Sequence, residues 1–195
     1  MNLLSIRQER WRKLIHLISS AIPIGYWILG RDTAIIILVV MTLIMLLFEY
    51  TRMKTTWGRR LYQRFFGFVT RPSEAHRPTG GTYVFLGYLL TAILFPPAAA
   101  LPAMFFMSIG DTAAAVIGQR YGRIPIGSKT LEGTLACFFV CLLIVIPARL
   151  SPLVTVAGPA AAAVAELIPW PFVNDNIAIP VFSAGIMTLL MTVGL

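Results

Sequence analysis

Residues 110–133 read GDTAAAVIGQRYGRIPIGSKTLEG, and this stretch places a single aspartate, Asp111, inside an otherwise apolar segment. A basic loop punctuated by glycines follows, and the stretch ends on Lys129 and Glu132. A carboxylate at membrane depth is costly, so acidic residues in such segments commonly mark functional sites. The stretch therefore predicts a membrane segment with a functional carboxylate, next to groups suited to holding phosphates.

The whole chain shares the apolar character of this stretch. Of its 195 residues, 57% are hydrophobic and 12% are charged, whereas soluble domains carry about 25% charged residues. This composition predicts an all-α integral membrane protein that forms one domain over residues 1–195. Glu9 in the polar N-terminus favours a retained first helix over a cleaved signal peptide. Cys137 and Cys141, four residues apart, are interpreted as packing residues on one helix face.

Seven apolar stretches are candidate membrane spans, each of which needs about 17 to 25 residues to cross. The sixth stretch is the weakest because Gly158 and Pro159 interrupt it, and Pro96-Pro97 separates the third from the fourth. The predicted spans are 14–30, 33–50, 80–97, 98–120, 133–149, 152–168 and 177–195.

The basic residues are distributed unevenly over the loops between these spans. With the N-terminus in the cytoplasm, all 16 lysines and arginines except Arg31 and Arg149 lie on the cytoplasmic side. Lysine and arginine favour that side, so the asymmetry predicts a cytoplasmic N-terminus. Acidic residues gather on the same side, as a charged cytosolic substrate would require, namely Glu49, Asp111, Glu132, Glu166 and Asp175.

The segment WGRRLYQRFFGFV at residues 57–69 mixes aromatic residues with arginines. This pattern predicts an amphipathic helix in the membrane interface, and an anchoring role is favoured over contact with a substrate. The segment has no nucleic-acid recognition fold around it. The chain also lacks a Ser-His-Asp order, zinc-ligand spacing, a dinucleotide glycine pattern and the polar ladder of a channel.

Asp111 lies beside a stripe of small residues. Gly110, Ala114, Gly118 and Gly122 recur every four residues and would let another helix approach closely. Successive helix residues are about 100° apart, which places Asp111 to one side of this stripe. The carboxylate either links two helices by hydrogen bonds or binds a ligand, and the second interpretation is favoured.

Residues 127–130, GSKT, resemble a phosphate-binding P-loop only superficially, because no strand precedes them and the glycine spacing does not fit. Lys129 can still offer a positive charge, and Ser128 or Thr130 can cap a following helix whose N-terminus attracts anions. Glu132, three residues after Lys129, is expected to pair with it on one helix face. The alternative is a solvated salt bridge without a further role.

Glu166 and the pair Asp175-Asn176 flank a proline-rich junction before the last span. Carboxylate and amide oxygens at such a junction suit magnesium, a hard cation that also binds substrate phosphates. The alternative is a polar turn in which Asp175 or Asn176 caps the last helix. In combination with Asp111, the magnesium interpretation is favoured.

Two further polar groups lie at predicted cytoplasmic ends of spans. Ion pairing and long side chains that extend to the interface explain the first group, and His16 as a catalytic base is the less favoured alternative. The second group is interpreted as an anion-binding loop or a basic flank. The first consists of Arg12, Lys13, His16, Glu49 and Arg52, and the second of Arg71, His76, Arg77, Thr79 and Gly80.

Taken together, these motifs resemble the family of dolichol kinase, phytol kinase and CTP-dependent diacylglycerol kinase. The most specific motif is GDTAAAVIGQRYGR followed by SKTLEG, and Asp175-Asn176 with Pro180 supports it. Phosphatidate cytidylyltransferases share the first motif in looser form. They carry a lysine-aspartate and glycine-histidine-rich signature near the C-terminus, where this chain has Asp175-Asn176.

The resemblance implies a magnesium-dependent kinase that transfers the terminal phosphate of CTP to a lipid alcohol, such as dolichol, phytol or diacylglycerol. Its site would lie on the cytoplasmic side of the inner membrane. The second hypothesis is a cytidylyltransferase that makes a CDP-lipid, and the non-enzymatic one is a small transporter or membrane scaffold. The expected partners are CTP, the lipid alcohol and membrane lipids, with a homodimer as a further candidate and no nucleic acid.

The resemblance also implies roles for individual residues. Asp111 and Asp175, with Glu166, are expected to hold or orient magnesium. Lys129 is expected to contact the triphosphate and Glu132 to position it, and the choice of the carboxylate that deprotonates the acceptor stays open. Further expected nucleotide contacts are Thr130, Arg123, Arg71 and Asn176.

Overall fold

The computed structural model describes residues 6–70, 74, 77–169 and 173–194, and most of them are helical. Ten α-helices and two short strands occur in this part of the chain. The helices are α1 Ile6–Ile18, α2 Ala21–Leu29, α3 Arg31–Lys54, α4 Thr56–Phe66, α5 Gly80–Leu94, α6 Pro97–Phe105, α7 Asp111–Tyr121, α8 Leu131–Val145, α9 Pro152–Leu167 and α10 Asp175–Thr192. The strands are β1 Pro125–Ile126 and β2 Lys129–Thr130.

Four helical segments within the described residues are long and apolar enough to cross a membrane, and α5 and α9 are apolar but shorter. The four segments are Arg31–Lys54, Pro97–Tyr121, Leu131–Ala148 and Asp175–Thr192. These helices indicate an integral membrane protein and agree with the predicted helical fold. The count of seven spans and the cytoplasmic N-terminus stay predictions.

The first predicted span, 14–30, is divided into two helices. α1 ends at Ile18 and α2 begins at Ala21, and between them the Ser19 hydroxyl donates a 2.6 Å hydrogen bond to the carbonyl of His16. Pro23 lies in the first turn of α2, where its missing N–H breaks no helical hydrogen bond. The apolar run at residues 14–30 does not reveal such a break, because it joins the apolar end of α1 to α2.

α6 and α7 form one helical rod that is interrupted by a π-helical turn at Phe106–Gly110. A π-turn inserts one extra residue, so the face that α7 presents is offset from that of α6 by about 100°. Asp111 is the first residue after this turn. π-turns within α-helices are frequent at functional sites.

The small residues of α7 and α8 pack closely against each other. A Cβ atom added to Gly110 would lie 2.5 Å from the Cys141 sulfur, and one added to Gly133 would lie 2.7 Å from the Ala114 carbonyl oxygen. The predicted small-residue stripe is therefore confirmed as a packing surface. Cys137 and Cys141 are buried free thiols 3.9 Å apart, which confirms their interpretation as packing residues.

The chain between α7 and α8 forms a short hairpin of two-residue strands within the otherwise helical fold. Ile126 pairs with Lys129 in antiparallel register, and Gly127 has φ +62°, a conformation that favours glycine in a tight hairpin turn. The hairpin brings the chain back towards the bundle. It thereby sets the position of Lys129 immediately before α8.

The predicted amphipathic segment is α4. The Thr55 side chain caps it by accepting a 3.0 Å hydrogen bond from Gly58 N, and Tyr62 is buried while Trp57 and Phe65 are exposed. This exposure of aromatic side chains is compatible with an interfacial anchor. That role stays a prediction.

Candidate active site

Lys129, at the start of β2, connects two helices that are distant in the sequence. Its Nζ lies 2.7 Å from Glu166 Oε1 at the end of α9 and 3.3 Å from Asp175 Oδ2 at the start of α10. The Thr134 hydroxyl lies 3.4 Å from the other Glu166 oxygen, within hydrogen-bonding distance. The Lys129 and Asp175 side chains are 29% and 37% exposed. Two carboxylates thus converge on one ammonium group that ligands can reach.

The electrostatic environment keeps Lys129 charged. Burial lowers its pKa, but the nearby carboxylates of Asp175 and Glu166, together with Asp111, more than offset this effect and raise the pKa above its usual value. An upward shift of a lysine pKa stabilises the fold below its unfolded pKa of about 10.4, and this stabilisation is lost only as pH rises through the folded pKa. At physiological pH the ammonium is therefore present to bind an anion.

Asp111 is buried and is held by α1. The Nζ of Lys13 lies 2.6 Å from Asp111 Oδ2 and 3.4 Å from the Asp111 carbonyl oxygen. His16 Nδ1 lies 3.7 Å from the same Oδ2, and it is buried without a hydrogen-bond partner among the described residues. Lys13 and His16 are three residues apart and share one face of α1. The sequence places both residues in one polar group at predicted cytoplasmic ends of spans, and residue order does not identify Asp111 as their partner.

Glu49 and Arg52 form a different kind of cluster at the end of α3. Arg52 Nε donates a 2.6 Å hydrogen bond to Glu49 Oε1. The other oxygen of Glu49 accepts from the Thr79 backbone N–H at 3.1 Å, the Thr79 hydroxyl at 3.0 Å and the Thr82 hydroxyl at 2.8 Å. The predicted pairing of Glu49 with Arg52 is confirmed, and Thr79 is part of it.

The remaining nitrogens of Arg52 fix the segment that precedes α5. Its two terminal nitrogens donate to the carbonyls of Glu74 and Arg77 at 3.0 and 2.7 Å, and its guanidinium lies 4.9 Å from the centre of the Tyr62 ring. Both oxygens of Glu49 and all three nitrogens of Arg52 thus have partners. The cluster pins α3, α4 and α5 together.

Asn176 links α10 to α5. Its side-chain amide donates a 3.0 Å hydrogen bond to the Gly80 carbonyl. The alternative interpretation, in which Asp175 or Asn176 caps α10, is wrong, because Asn174 caps it by accepting from Asn176 N at 3.0 Å. With the cap supplied by Asn174, the Asp175 carboxylate can turn to Lys129.

The expected pairing of Lys129 with Glu132 is also wrong. Lys129 lies in β2, before α8 begins, so helical spacing does not apply to the pair. Glu132 instead accepts hydrogen bonds of 3.2 and 3.3 Å from Ile124 N and so fastens the hairpin to α8. The expectation that Thr130 caps α8 is confirmed by its 3.2 Å bond from Gly133 N.

The other predicted residues lie apart from these contacts. Arg12 pairs with Glu9 at 2.9 Å, Arg123 is exposed in the loop before the hairpin, and Arg71 and His76 lie outside the described residues. The proposed nucleotide contacts of Arg123 and Arg71 stay predictions.

The carboxylate oxygens of the predicted magnesium ligands can be compared with the arrangement that magnesium requires. Among the described residues, no group of three or more acidic, histidine or cysteine side chains is arranged to hold a metal ion. Glu166 and Asp175 nevertheless point oxygens at a single cationic centre, the Lys129 ammonium. Magnesium commonly binds through one or two carboxylates plus waters and substrate phosphates. This pair fits an ion shared with a nucleotide, whereas Asp111 is directed to Lys13.

Comparison with known proteins agrees with the motif resemblance. The CTP-dependent diacylglycerol kinase 1 of Saccharomyces cerevisiae is 31% identical over 101 residues, which cover 50% of this chain and 35% of that enzyme. The enzyme of the same name from Schizosaccharomyces pombe is 27% identical over 158 residues, or 68% of this chain and 69% of that enzyme. The match thus spans about a third of the first enzyme and two thirds of the second.

A protein of Rickettsia prowazekii without a characterised function is 25% identical over 182 residues, 88% of this chain and 89% of that protein. No family model and no solved structure significantly matches the chain. The predicted resemblance to CTP-dependent diacylglycerol kinases is confirmed by these matches.

Proposed function

We propose that this chain is a membrane lipid kinase that transfers the terminal phosphate of CTP to the hydroxyl of a lipid alcohol. The observation that carries the proposal is the convergence of Lys129, Glu166 and Asp175. These residues come from three separate segments and form a charged, accessible site in an apolar protein. Two relatives are named as CTP-dependent diacylglycerol kinases, which supports CTP as the donor.

The reaction needs few groups on the protein. The acceptor oxygen forms a bond to the terminal phosphorus of CTP, the bond from that phosphorus to the bridging oxygen breaks, and CDP leaves with the electron pair. The hydroxyl proton passes to a carboxylate or to water. Catalysis of such transfers depends mostly on positioning and on neutralising negative charge.

In this mechanism Lys129 exchanges its carboxylate partners for phosphate oxygens. Glu166 and Asp175 are then free to hold magnesium, which when bound would neutralise the phosphates. Thr130 keeps β2 at the N-terminus of α8 and so keeps Lys129 in place. The basic residues Arg123 and Arg71 would add positive charge on the proposed cytoplasmic side, where CTP is found.

Diacylglycerol is the first acceptor to test, because two relatives are named for it. Dolichol, other polyprenols and phytol present the same chemistry, one hydroxyl on an apolar body. A comparison of phosphate transfer to each of these acceptors identifies the preferred one.

The experiment uses the purified protein in lipid–detergent micelles with each lipid alcohol or, in a parallel reaction, with phosphatidate, and with CTP labelled at the α or the γ phosphate. We expect label from the γ position alone to reach the lipid, and chelation of divalent cations with EDTA to stop the transfer. Transfer of the α label would instead identify a CDP-lipid synthase. Failure of both labels to reach any lipid would contradict the enzymatic proposal.

A further inference from the structure

A groove with a volume of about 210 Å³ lies between α1 and α7. Leu14 and Leu17 of α1 form the apolar part of one wall and Ala115 and Val116 of α7 that of the other, and Glu9 and Gln119 also line the groove. Leu14, Leu17 and Val116 are 43%, 46% and 50% exposed, so the apolar wall continues onto the outer surface of the helices. The groove therefore opens at the surface of the protein, between α1 and α7.

The groove also has a polar end. Lys13 and Thr112 line it, and the Lys13 ammonium lies 2.6 Å from the buried carboxylate of Asp111. His16 Nδ1 lies 3.7 Å from the same carboxylate and is buried with no hydrogen-bond partner in the part of the chain that the structure describes. A hydroxyl at this end would find both donors and acceptors.

We propose that this groove binds the lipid alcohol and delivers its hydroxyl to the Lys13–Asp111 pair. The inference rests on the proposed kinase function and adds a division of the site into two halves. Lys129, Glu166 and Asp175 would serve the nucleotide, and the groove between α1 and α7 would serve the acceptor.

The residues that line the groove favour a lipid alcohol over CTP. Apolar walls do not suit the ribose or the phosphates of CTP, which would lose hydration without gaining partners. A lipid alcohol has the opposite distribution, with an apolar chain for the leucine and valine walls and one hydroxyl for the polar end. Asp111 also contributes to the raised pKa of Lys129, so the two halves are near enough to interact electrostatically.

The first test fills the groove at a wall position. Ala115→Leu fills space between α1 and α7 that the acceptor chain would occupy, so we expect the KM for the lipid alcohol to rise about tenfold. The KM for CTP should stay unchanged, because Ala115 lines the groove, whereas the Lys129 ammonium is bound by Glu166 and Asp175. The matched control is Ala98→Leu, which adds the same atoms at an exposed position near the start of α6.

The second test measures where the wild-type protein binds the lipid alcohol and does not depend on phosphate transfer. A photoreactive diacylglycerol or polyprenol that carries a diazirine in its chain is irradiated with the protein, and labelled peptides are mapped by mass spectrometry. We expect labels on α1 and α7 that an excess of the unmodified alcohol prevents. Labels confined to other helices would overturn the groove assignment.

The two tests separate failure of this inference from failure of the proposed function. If the wild-type protein phosphorylates lipid while Ala115→Leu behaves like Ala98→Leu and the label lies elsewhere, the groove assignment is wrong and the kinase proposal stands. If the label lies on α1 and α7 but no phosphate is transferred, the kinase proposal is wrong and the groove is a lipid-alcohol site of another protein class.

Discussion

Two clusters of charged side chains, Glu49–Arg52 and Glu166–Lys129–Asp175, satisfy their charges in different ways. Glu49 is bonded by a backbone N–H, two hydroxyls and a guanidinium, and its arginine partner is 4% exposed. Glu166 and Asp175 share a single ammonium on a flexible side chain that is 29% exposed. The first cluster is closed to ligands, and the second is open to exchange.

The difference shows why a buried charge alone does not identify a functional site. The donors around Glu49 are a backbone N–H and short or buried side chains whose positions are fixed by α3 and α5. The cluster therefore holds these helices together. In the proposed mechanism the Lys129 ammonium leaves its carboxylates for a phosphate, and a metal ion would take its place between them. Exchangeable partners, rather than buried charge, distinguish the proposed active site.

The largest effect on folding is expected for Arg52→Met. The substitution leaves the Glu49 carboxylate buried without its cationic partner and frees two backbone carbonyls. Breaking a buried pair in this way costs about 3–5 kcal/mol, measurable as a loss of thermal stability in detergent.

Arg60→Met is the matched control, because Arg60 is exposed on α4. Its thermal stability should equal that of the wild-type protein. If Arg52→Met kept wild-type stability and lost only kinase activity, the contrast between the two clusters would be wrong and Arg52 would belong to the catalytic machinery.

Lys129→Met leaves Glu166, whose side chain is 4% exposed, without its ammonium partner, so we expect a loss of stability, but a smaller one than in Arg52→Met, because the 37% exposed Asp175 side chain stays solvated. The variant should also lower phosphate transfer by about 10²–10³-fold, the usual cost of removing one group that stabilises transition-state charge. The variant also removes the ammonium between Glu166 and Asp175. Added magnesium should therefore raise the melting temperature of the variant more than that of the wild-type protein.

The control for this prediction is Lys54→Met, which removes an exposed lysine at the end of α3. It should retain both the activity and the magnesium response of the wild-type protein. A Lys129→Met protein with near-normal transfer, or with no extra response to magnesium, would remove the basis for an exchangeable site.

The sequence allowed a correct prediction of the packing stripe, the Thr130 cap and the Glu49–Arg52 pair. Each of these depends on local spacing along one helix or at one helix end, and local spacing can be read from residue order. The stripe beginning at Gly110 was readable for the same reason, since small residues every four positions lie on one face.

The contacts that residue order could not supply join elements far apart in the chain. The bond between Lys13 and Asp111 depends on how α1 rotates against α7 and on the offset introduced by the π-turn. Helical spacing predicts a pair between Lys129 and Glu132 only if both lie in one helix. The hairpin instead places Lys129 before α8, where its ammonium contacts Glu166. Periodicity does not specify such long-range geometry.

Gly133, near the start of α8, packs closely against α7 and so supports the Glu166–Lys129–Asp175 cluster. In Gly133→Ala the new methyl would meet the Ala114 carbonyl oxygen at 2.7 Å, and this backbone atom can move only with α7. We expect a loss of about 1–3 kcal/mol of stability, with lower activity because the hairpin that carries Lys129 shifts. Gly25→Ala is the control, since nothing lies within 4 Å of its added methyl. Equal stability of the two variants would show that α7 and α8 adjust freely.

The smallest effect is expected for Asn176→Ala, which cuts the link between the two clusters. Its amide already donates to the Gly80 carbonyl, so loss of this neutral hydrogen bond should cost about 1 kcal/mol and leave the KM for CTP close to normal. Gly80 lies at the start of α5 and Asn176 directly follows Asp175, so the link aligns the closed cluster with the open one. A nucleotide contact would give the opposite pattern, with unchanged melting temperature and a raised KM for CTP. Thermal unfolding and CTP titration on one preparation therefore decide whether Asn176 holds α5 and α10 together or contacts the nucleotide.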